Sequence, residues 1–324
     1  MVIPIGDRPN PRGVPWVTHA LIAVNVAVFA LLTLPLATIP ADLADPRAAE
    51  YLRIVGERAG PLAHLQGRLT AYDLFVFDWG FRAGVPSLRT LLASMFLHAG
   101  ALHLFGNMLF LWIYGDNVEH RLGAVWFVGA YLCTGAAATL THAAVASDAA
   151  LPMIGASGAI SGVLGFYFVW FPRNVVRLMW LLPPLLFRVF EVPARVVLAL
   201  YLVLDNLLPS LLTDAAGGVA YTAHLGGFAT GVVLAWAADR GGRPARAEDG
   251  TTLATLRHRL RTLPAGRERA ELHVRIGDLL LHELEEPVSA YQHYRAALEG
   301  TRDADVMAAA RRGVAEVQAV LGRR

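Results

Sequence analysis

Long apolar segments dominate the first 240 residues of this 324-residue chain. A transmembrane helix needs about 20 predominantly apolar residues, and six segments approach or reach that length. Hydrophobic residues make up 55% of the chain and charged residues only 17%, which is more apolar than a soluble domain of this size. We therefore predict an all-α, polytopic membrane protein with a bundle of six transmembrane helices. The predicted spans are residues 17–36, 91–114, 124–145, 157–172, 196–212 and 220–238.

The segments around these spans divide the chain into three predicted parts. Residues 1–16 are rich in proline and are expected to be a cytoplasmic tail. The membrane domain then covers residues 17–239, and a linker with a helical extension covers residues 240–324. The first apolar run also fits a signal peptide, but its proline-rich leader and the lack of a clear small-residue cleavage site favour a retained span.

Residues 40–90 are predicted to form an external first loop within the membrane domain. A connector of this length usually carries a function or covers something. Two interpretations are equally compatible with its composition: a loop lying partly in the membrane surface, or a plain solvated connector. The aromatic residues that would contact the membrane surface are Phe75, Phe77, Trp79 and Phe81.

The arginines that flank the spans all fall on one side if the chain crosses the membrane six times. They are Arg8, Arg12, Arg121, Arg173, Arg177, Arg240, Arg243 and Arg246. The connectors near Asp148 and Asp214 contain no arginine. Because cytoplasmic loops carry an excess of basic residues, we expect a multi-pass protein of the cell membrane with both termini in the cytoplasm.

Two glycine-rich stretches each place one reactive side chain at the start of a predicted span. Residues 155–162 read Gly-Ala-Ser-Gly-Ala-Ile-Ser-Gly and contain Ser157, and residues 223–227 read Ala-His-Leu-Gly-Gly and contain His224. Small residues three and four positions away share the helix face of each reactive side chain. Such faces let membrane helices approach closely. If the two faces meet, the hydroxyl and the imidazole form an activated nucleophile.

His103 and Asn107 lie four residues apart on the second predicted span and therefore face the same way. Taken singly, His103 is better explained as a histidine bonded to a neighbouring helix, and Asn107 as an interhelical polar contact. Ionisable residues inside membrane spans are rare, however, and tend to be functional. Peptide hydrolysis by a serine passes through a tetrahedral oxyanion, for which imidazole and carboxamide groups are suitable donors.

Together these residues resemble the rhomboid family of intramembrane serine proteases. The resemblance covers about residues 17–238 and rests on Phe96-Leu97-His98, His103-Leu104-Phe105-Gly106-Asn107-Met108, Val118-Glu119-His120-Arg121-Leu122-Gly123, Gly155-Ala156-Ser157-Gly158 and Ala223-His224-Leu225-Gly226-Gly227. It implies that Ser157 is the nucleophile and His224 its general base, working as a dyad. It also implies that His103, Asn107 and the Ser157 backbone N–H bind the oxyanion.

The resemblance assigns structural tasks to other residues and has one departure. Glu119 and Arg121 match a turn that the family uses structurally, and we interpret His98 as a hydrogen-bonding support of the fold. Family members often carry a Trp-Arg pair in the first outer loop. Here the nearest candidates are Trp79 with Arg82, or Arg89 preceded by Leu88, so the anchoring of this loop is expected to differ.

Other chemistries find little support in the sequence. There is no His-Glu-x-x-His zinc motif and no pair of aspartates in two spans, so we predict neither a metal nor a cofactor. The net charge of +2, without a cluster of basic and aromatic residues, argues against nucleic-acid binding. Asp205 and Asn206 are interpreted as interhelical or end-of-helix polar groups rather than catalytic ones.

We therefore expect an intramembrane serine endopeptidase that acts on single-span membrane-protein substrates within the lipid bilayer. One alternative is a catalytically inactive rhomboid-like protein that binds membrane clients, which would be expected to lack the serine or the histidine. Another is a channel or transporter, which predicts charged pathway residues or broken helices at mid-membrane. Only Asp205 points toward that third possibility.

The C-terminal extension contains charged amphipathic segments. Residues 275–298 resemble one tetratricopeptide unit, and an ordinary helical hairpin explains them at least as well. A single helix pair buries little core, so a flanking helix or a protein partner is expected for these helices.

Overall fold

The computed structural model describes residues 2–11, 13–59, 69–145, 150–182, 186–212, 220–240, 253–282 and 286–322. The chain forms two compact units, residues 1–243 and residues 244–324. The first unit contains β1 Val2–Arg8, α1 Trp16–Thr38, α2 Pro46–Ala59, α3 Ala71–Trp79, α4 Leu88–Ala93, α5 Ala101–Leu122, α6 Ala124–Val145, α7 Ser157–Trp170, β2 Val175–Leu182, β3 Leu186–Pro193, α8 Ala194–Leu212 and α9 Tyr221–Arg240. The second unit contains α10 Leu253–Thr262, α11 Arg267–His282, α12 Pro287–Gly300 and α13 Ala304–Leu321.

Three described helices are long and apolar enough to cross a membrane, namely α1, α6 and α8. The bent pair formed by α4 and α5 provides a fourth candidate if it counts as one span. The predicted fourth span is the 14-residue helix α7, and the predicted sixth is the 20-residue helix α9. The protein is therefore a mostly helical membrane protein with three or four candidate membrane spans.

The predicted second span, residues 91–114, is wrong as a single helix. The helices Leu88–Phe96 and Ala101–Leu122 meet at an angle of 89°. Between them His98 is fully buried, and its backbone carbonyl accepts a hydrogen bond of 2.8 Å from the Tyr72 hydroxyl. Neither nitrogen of its ring has a hydrogen-bond partner among the described residues, so the hydrogen-bonding role expected of the His98 side chain is wrong. Helix α5 runs on to Leu122, so Glu119 and Arg121 lie in its last turns. The prediction that these two residues lie in a connecting turn is therefore also wrong.

The all-α prediction overlooked a three-stranded antiparallel sheet with the order β1-β2-β3. Residues 2–8, predicted to belong to a tail, pair with β2, and the apolar segment after α7 forms the β2–β3 hairpin. Proline content argued against regular structure at the N-terminus. Pro4 is tolerated because β1 is an edge strand with a register irregularity between Pro4 and Gly6.

A buried polar cluster fastens the sheet to the helices. Asp7 accepts hydrogen bonds from the Tyr167 hydroxyl and from Asn117 Nδ2, the latter at 2.9 Å, and Asn174 Nδ2 donates to the Tyr167 hydroxyl oxygen at 3.0 Å. Burial raises the pKa of the Asp7 carboxyl to about 7, and the nearby Asp116 carboxylate adds to this effect. The strand is therefore held by hydrogen bonds to α5 and α7.

The first loop is folded in its described part, which neither expectation anticipated. Helix α3 starts with a capping box between Thr70 and Asp73, and Phe77 is buried. Trp79 is exposed, and the Arg89 guanidinium lies 4.6 Å from the centre of its ring. Arg82 instead lies over Phe77 at 3.9 Å. Trp79 therefore contacts Arg89, and neither sequence candidate, Trp79 with Arg82 or Leu88 with Arg89, described this pairing.

The C-terminal unit packs around Tyr294, which is fully buried. A side chain at Gly277 or Gly313 would meet the Tyr294 ring, at 2.6 and 2.4 Å respectively, so α11 and α13 press closely against α12. The Tyr294 hydroxyl donates to Asp278 Oδ1 at 2.7 Å. The expected helix pair thus exists as α11 and α12, with α13 as a flanking helix.

Glu119 joins the end of α5 to the start of α1. Its carboxylate accepts hydrogen bonds from the Val17 and Thr18 backbone N–H groups at 2.9 and 2.7 Å and from the Thr18 hydroxyl at 2.8 Å. The first N–H groups of a helix have no intrahelical acceptor, and an anion is favoured there by the helix dipole. Glu119 thereby caps the N-terminus of α1, where Pro15 at the N-cap position provides no capping side chain.

We predict that Glu119→Ala lowers the stability of the membrane unit by about 2–4 kcal/mol, because three donors, two of them on the fully buried Thr18, lose a charged acceptor. Thermal unfolding in detergent micelles measures this change. Asp239→Ala is the matched control, since the Arg121–Asp239 ion pair is partly exposed and is worth at most about 1 kcal/mol. Equal unfolding midpoints for the two variants would contradict the capping role of Glu119.

Candidate functional site

Ser157 and His224 occupy equivalent positions in their helices. Ser157 is the first residue of α7, and His224 lies in the first turn of α9. His224 Nε2 and the Ser157 hydroxyl oxygen are 2.7 Å apart, which is a hydrogen-bond distance. The structure thus brings together the two reactive side chains that lie 67 positions apart in the sequence.

Direct backbone contact between α7 and α9 makes this distance possible. A Cβ atom on Gly227 would lie 2.1 Å from the Gly158 carbonyl oxygen, and one on Gly231 would lie 2.0 Å from that of Gly162. In the reverse direction, a Cβ on Gly165 would lie 2.3 Å from the Phe228 carbonyl oxygen. Real side chains do not approach backbone oxygens so closely, so these positions accept only glycine unless the helices separate.

Gly155 shapes the approach to the hydroxyl. Its φ of +127° belongs to a conformation that other residues rarely adopt. A Cβ at this position would lie 3.0 Å from the Cε1 and Nε2 atoms of His103 and 3.5 Å from the Ser157 hydroxyl oxygen. The imidazole of His103 and the serine therefore face the same glycine from two sides.

Asn107 is buried one turn beyond His103 on α5, and its Nδ2 atom has no hydrogen-bond partner among the described residues. Eight other buried side-chain atoms of the described residues also lack a partner, so the unpaired state of Asn107 Nδ2 leaves it free to donate but does not by itself assign it a task. The Ser157 backbone N–H lies at the N-terminus of α7, where helix N–H groups have no intrahelical acceptor. The Ser157 backbone N–H and the Asn107 amide are thus donors available to an anionic oxygen.

Sequence reasoning missed the contact of Asn206 with His224. Asn206 Oδ1 lies 2.6 Å from His224 Nδ1, so the ring has a partner on each nitrogen. Asn206 was interpreted as an interhelical or end-of-helix group, and it does join α8 to α9. An asparagine in an apolar span was the only signal, because spacing along the chain does not show which histidine it meets.

Two further histidines, His142 and His98, lie near the site. His142 Nδ1 lies 2.7 Å from the Thr222 hydroxyl, next to the start of α9. The His98 and His103 rings are 5.1 Å apart, centre to centre. Within the part of the chain that the structure describes, no group of three or more His, Cys, Asp or Glu side chains is placed to hold a metal ion.

Fold and site together define a helical membrane protein with a serine–histidine pair between two glycine-packed helices. Residues 86–240 match the family model described as the rhomboid domain. The chain is 30% identical over 228 residues to rhomboid protein 1, mitochondrial, of Saccharomyces cerevisiae, a match that covers 67% of this chain and 52% of the yeast protein. The chain belongs to the rhomboid family.

Two plant relatives show similar coverage. RHOMBOID-like protein 12, mitochondrial, of Arabidopsis thaliana is 28% identical over 179 residues, which cover 50% of this chain and 49% of that protein. RHOMBOID-like protein 1 of the same plant is 25% identical over 229 residues, covering 70% of this chain and 54% of the relative. The chain thus spans about half the length of these curated relatives.

We predict opposite effects of adding one methyl group at two glycines of the membrane unit. Gly227→Ala forces its Cβ into the Gly158 carbonyl oxygen and should lower the thermal unfolding midpoint by several degrees. Gly129→Ala is the matched control, because its Cβ meets nothing within 4 Å and alanine raises stability by about 0.4–1 kcal/mol at a compatible position. A Gly227→Ala protein as stable as the Gly129→Ala protein would refute the close contact of α7 and α9.

Proposed function

We propose that this protein is an intramembrane serine endopeptidase that hydrolyses peptide bonds in or near the transmembrane helices of single-span membrane proteins. The observation that carries the proposal is the 2.7 Å distance between the Ser157 hydroxyl oxygen and His224 Nε2. A serine hydroxyl is a weak nucleophile until an adjacent base accepts its proton. The membership of the chain in the rhomboid family supports the same assignment.

The proposed reaction has two stages. In the first, His224 Nε2 takes the hydroxyl proton while the Ser157 oxygen attacks the scissile carbonyl carbon, and the imidazolium then protonates the leaving amine, giving an acyl ester on Ser157. In the second, His224 Nε2 takes a proton from a water molecule while the water oxygen attacks the ester carbonyl carbon. The imidazolium then returns the proton to the Ser157 oxygen as the ester bond breaks. The peptide carboxylate leaves, and both side chains regain their initial state.

The oxyanion that forms in both stages needs donors aimed at it. We assign this task to Asn107 Nδ2, His103 and the Ser157 backbone N–H, since Asn107 Nδ2 has no partner within the described residues and His103 lies across Gly155 from the serine. Donors that are fixed before the reaction give large stabilisation because they need no reorganisation. No cofactor takes part in this scheme.

The proposal includes six membrane crossings by residues 17–239, with both termini in the cytoplasm and the site near the outer end of the helices. The ends expected in the cytoplasm do meet, since Glu119 bonds to the start of α1 and Arg121 pairs with Asp239 at 3.0 Å. The cell membrane is the proposed location, although yeast rhomboid protein 1 is named as mitochondrial. Water must reach Ser157 from the outer side, where residues 40–90 form the proposed external loop.

The alternative function, a catalytically inactive binder of membrane clients, needs neither a nucleophile nor a base. Here both are present and hydrogen bonded, and the imidazole has a second partner on its other nitrogen. A binding role alone does not explain this geometry. For residues 240–324 we propose a helical extension that takes a protein partner, in addition to the substrate that the membrane unit binds.

We predict that a fluorophosphonate probe labels the purified protein at Ser157. Labelling should be lost in Ser157→Ala and should fall by more than about a hundredfold in His224→Ala, because the hydroxyl then has no base. Ser161→Ala is the matched control, since Ser161 is a buried serine one turn further along α7 and should leave labelling unchanged. Labelling that survives in Ser157→Ala would end the proposal.

We predict that Asn107→Ala slows cleavage of a fluorescent single-span substrate by about a hundredfold or more, with little change in KM or in thermal unfolding. The reason is that a donor to the oxyanion acts in the transition state and not in the bound substrate. Met108→Leu, a volume-conserving change at the neighbouring buried position, serves as the control. An unchanged kcat in Asn107→Ala would remove this residue from the site.

A further inference from the structure

Asn206 lies within a π-helical turn, Val203–Leu207, in the middle of α8. It is 1% exposed, whereas the preceding residue Asp205 is exposed. Such a turn places one extra residue in the helix and changes the direction in which nearby side chains project. The turn therefore directs the Asn206 amide toward α9 and leaves Asp205 on the outer face of α8.

The hydrogen bonds of Asn206 fix which end of the amide faces the histidine. Its Nδ2 group donates to the Tyr201 backbone carbonyl at 2.9 Å, a bond that spans five residues and fits the π turn. The carbonyl oxygen Oδ1 is thereby turned toward His224 Nδ1, 2.6 Å away. A carbonyl oxygen can only accept, so the Nδ1 atom must carry the proton.

This contact determines the state of the other ring nitrogen. A neutral imidazole with its proton on Nδ1 presents a lone pair at Nε2, and that nitrogen faces the Ser157 hydroxyl at 2.7 Å. The opposite tautomer would place a donor against the hydroxyl and could not accept its proton. The Asn206 amide also holds the plane of the ring, because the ring is now bonded at both nitrogens.

We propose that Asn206 is a positioning residue that selects the productive tautomer of His224, while Ser157 and His224 remain the pair that reacts. This inference rests on the proposed function. A neutral amide can supply orientation and tautomer choice without placing a second charge in the membrane. The titratable groups that face His224 from neighbouring helices are His103 on α5 and His142 on α6, and neither accepts the Nδ1 proton.

The test compares Asn206→Leu and Asn206→Asp with the neighbouring control Asp205→Asn. Asn206→Leu should lower kcat for a fluorescent single-span substrate by about 10–100-fold without changing KM, as expected when the group that orients a functional imidazole is lost. Asn206→Asp again accepts from Nδ1 and should restore much of the rate. Because an anion beside the ring favours the imidazolium, the acid limb of its pH–rate profile should move to higher pH.

A second readout does not need catalysis. The ¹⁵N chemical shifts of the His224 ring, assigned by difference from His224→Ala, should show the proton on Nδ1 in the wild type and a mixture of tautomers in Asn206→Leu. A wild-type kcat and an unchanged tautomer in Asn206→Leu would overturn the inference. So would a loss of rate that Asn206→Asp does not restore and that is matched by an equal loss of thermal stability. If the wild type fails to react at Ser157, the proposed function fails, while the tautomer measurement still decides the role of Asn206.

Discussion

The contact of two glycine-lined helices is the constraint on which the membrane unit depends. The Gly158 and Gly162 carbonyl oxygens lie against Gly227 and Gly231, so the axes of α7 and α9 approach as closely as two backbones allow. Lipid tails are as apolar as leucine, and membrane helices therefore associate through packing and hydrogen bonds rather than through the hydrophobic effect. At this separation a short serine side chain can reach an imidazole on the facing helix, which it could not do across a leucine interface.

Hydrogen-bonded polar groups elsewhere in the membrane unit join its other elements to one another. Glu119 satisfies the first turn of α1, and the Asp7–Tyr167–Asn117 hydrogen bonds secure the sheet against α5 and α7. Unpaired polar groups are costly in the absence of water, so these anchors are saturated. Asn107 Nδ2, like several other buried side-chain atoms of the described residues, is unpaired, and under the proposed function it is the donor free to bind the reacting oxygen.

The parts of this arrangement that could be predicted from the sequence are those that depend on helical periodicity and residue size. Ser157 and His224 could be paired because each lies among small residues at helical spacing, and this local pattern can be read without knowing the rest of the fold. Asn206 could not be assigned, because its contact depends on a π turn that no local pattern in residues 203–207 indicates. The strand β1 was missed for a similar reason, since its pairing partner lies more than 160 residues away.

The break before α5 matters more for the site than for the number of spans. A straight helix over residues 91–114 would place His103 and Asn107 near its centre, far from the ends of α7 and α9. Because the chain bends by 89° and restarts at Ala101, His103 lies in the first turn of α5 and Asn107 in the second. The N-termini of α5, α7 and α9 thus converge on one place, and each contributes the positive end of its dipole and N–H groups without intrahelical acceptors. Under the proposed mechanism, three helix N-termini would stabilise negative charge where a serine-bound tetrahedral oxygen forms, and the bend that sequence periodicity could not reveal would then be part of the electrostatics of the site.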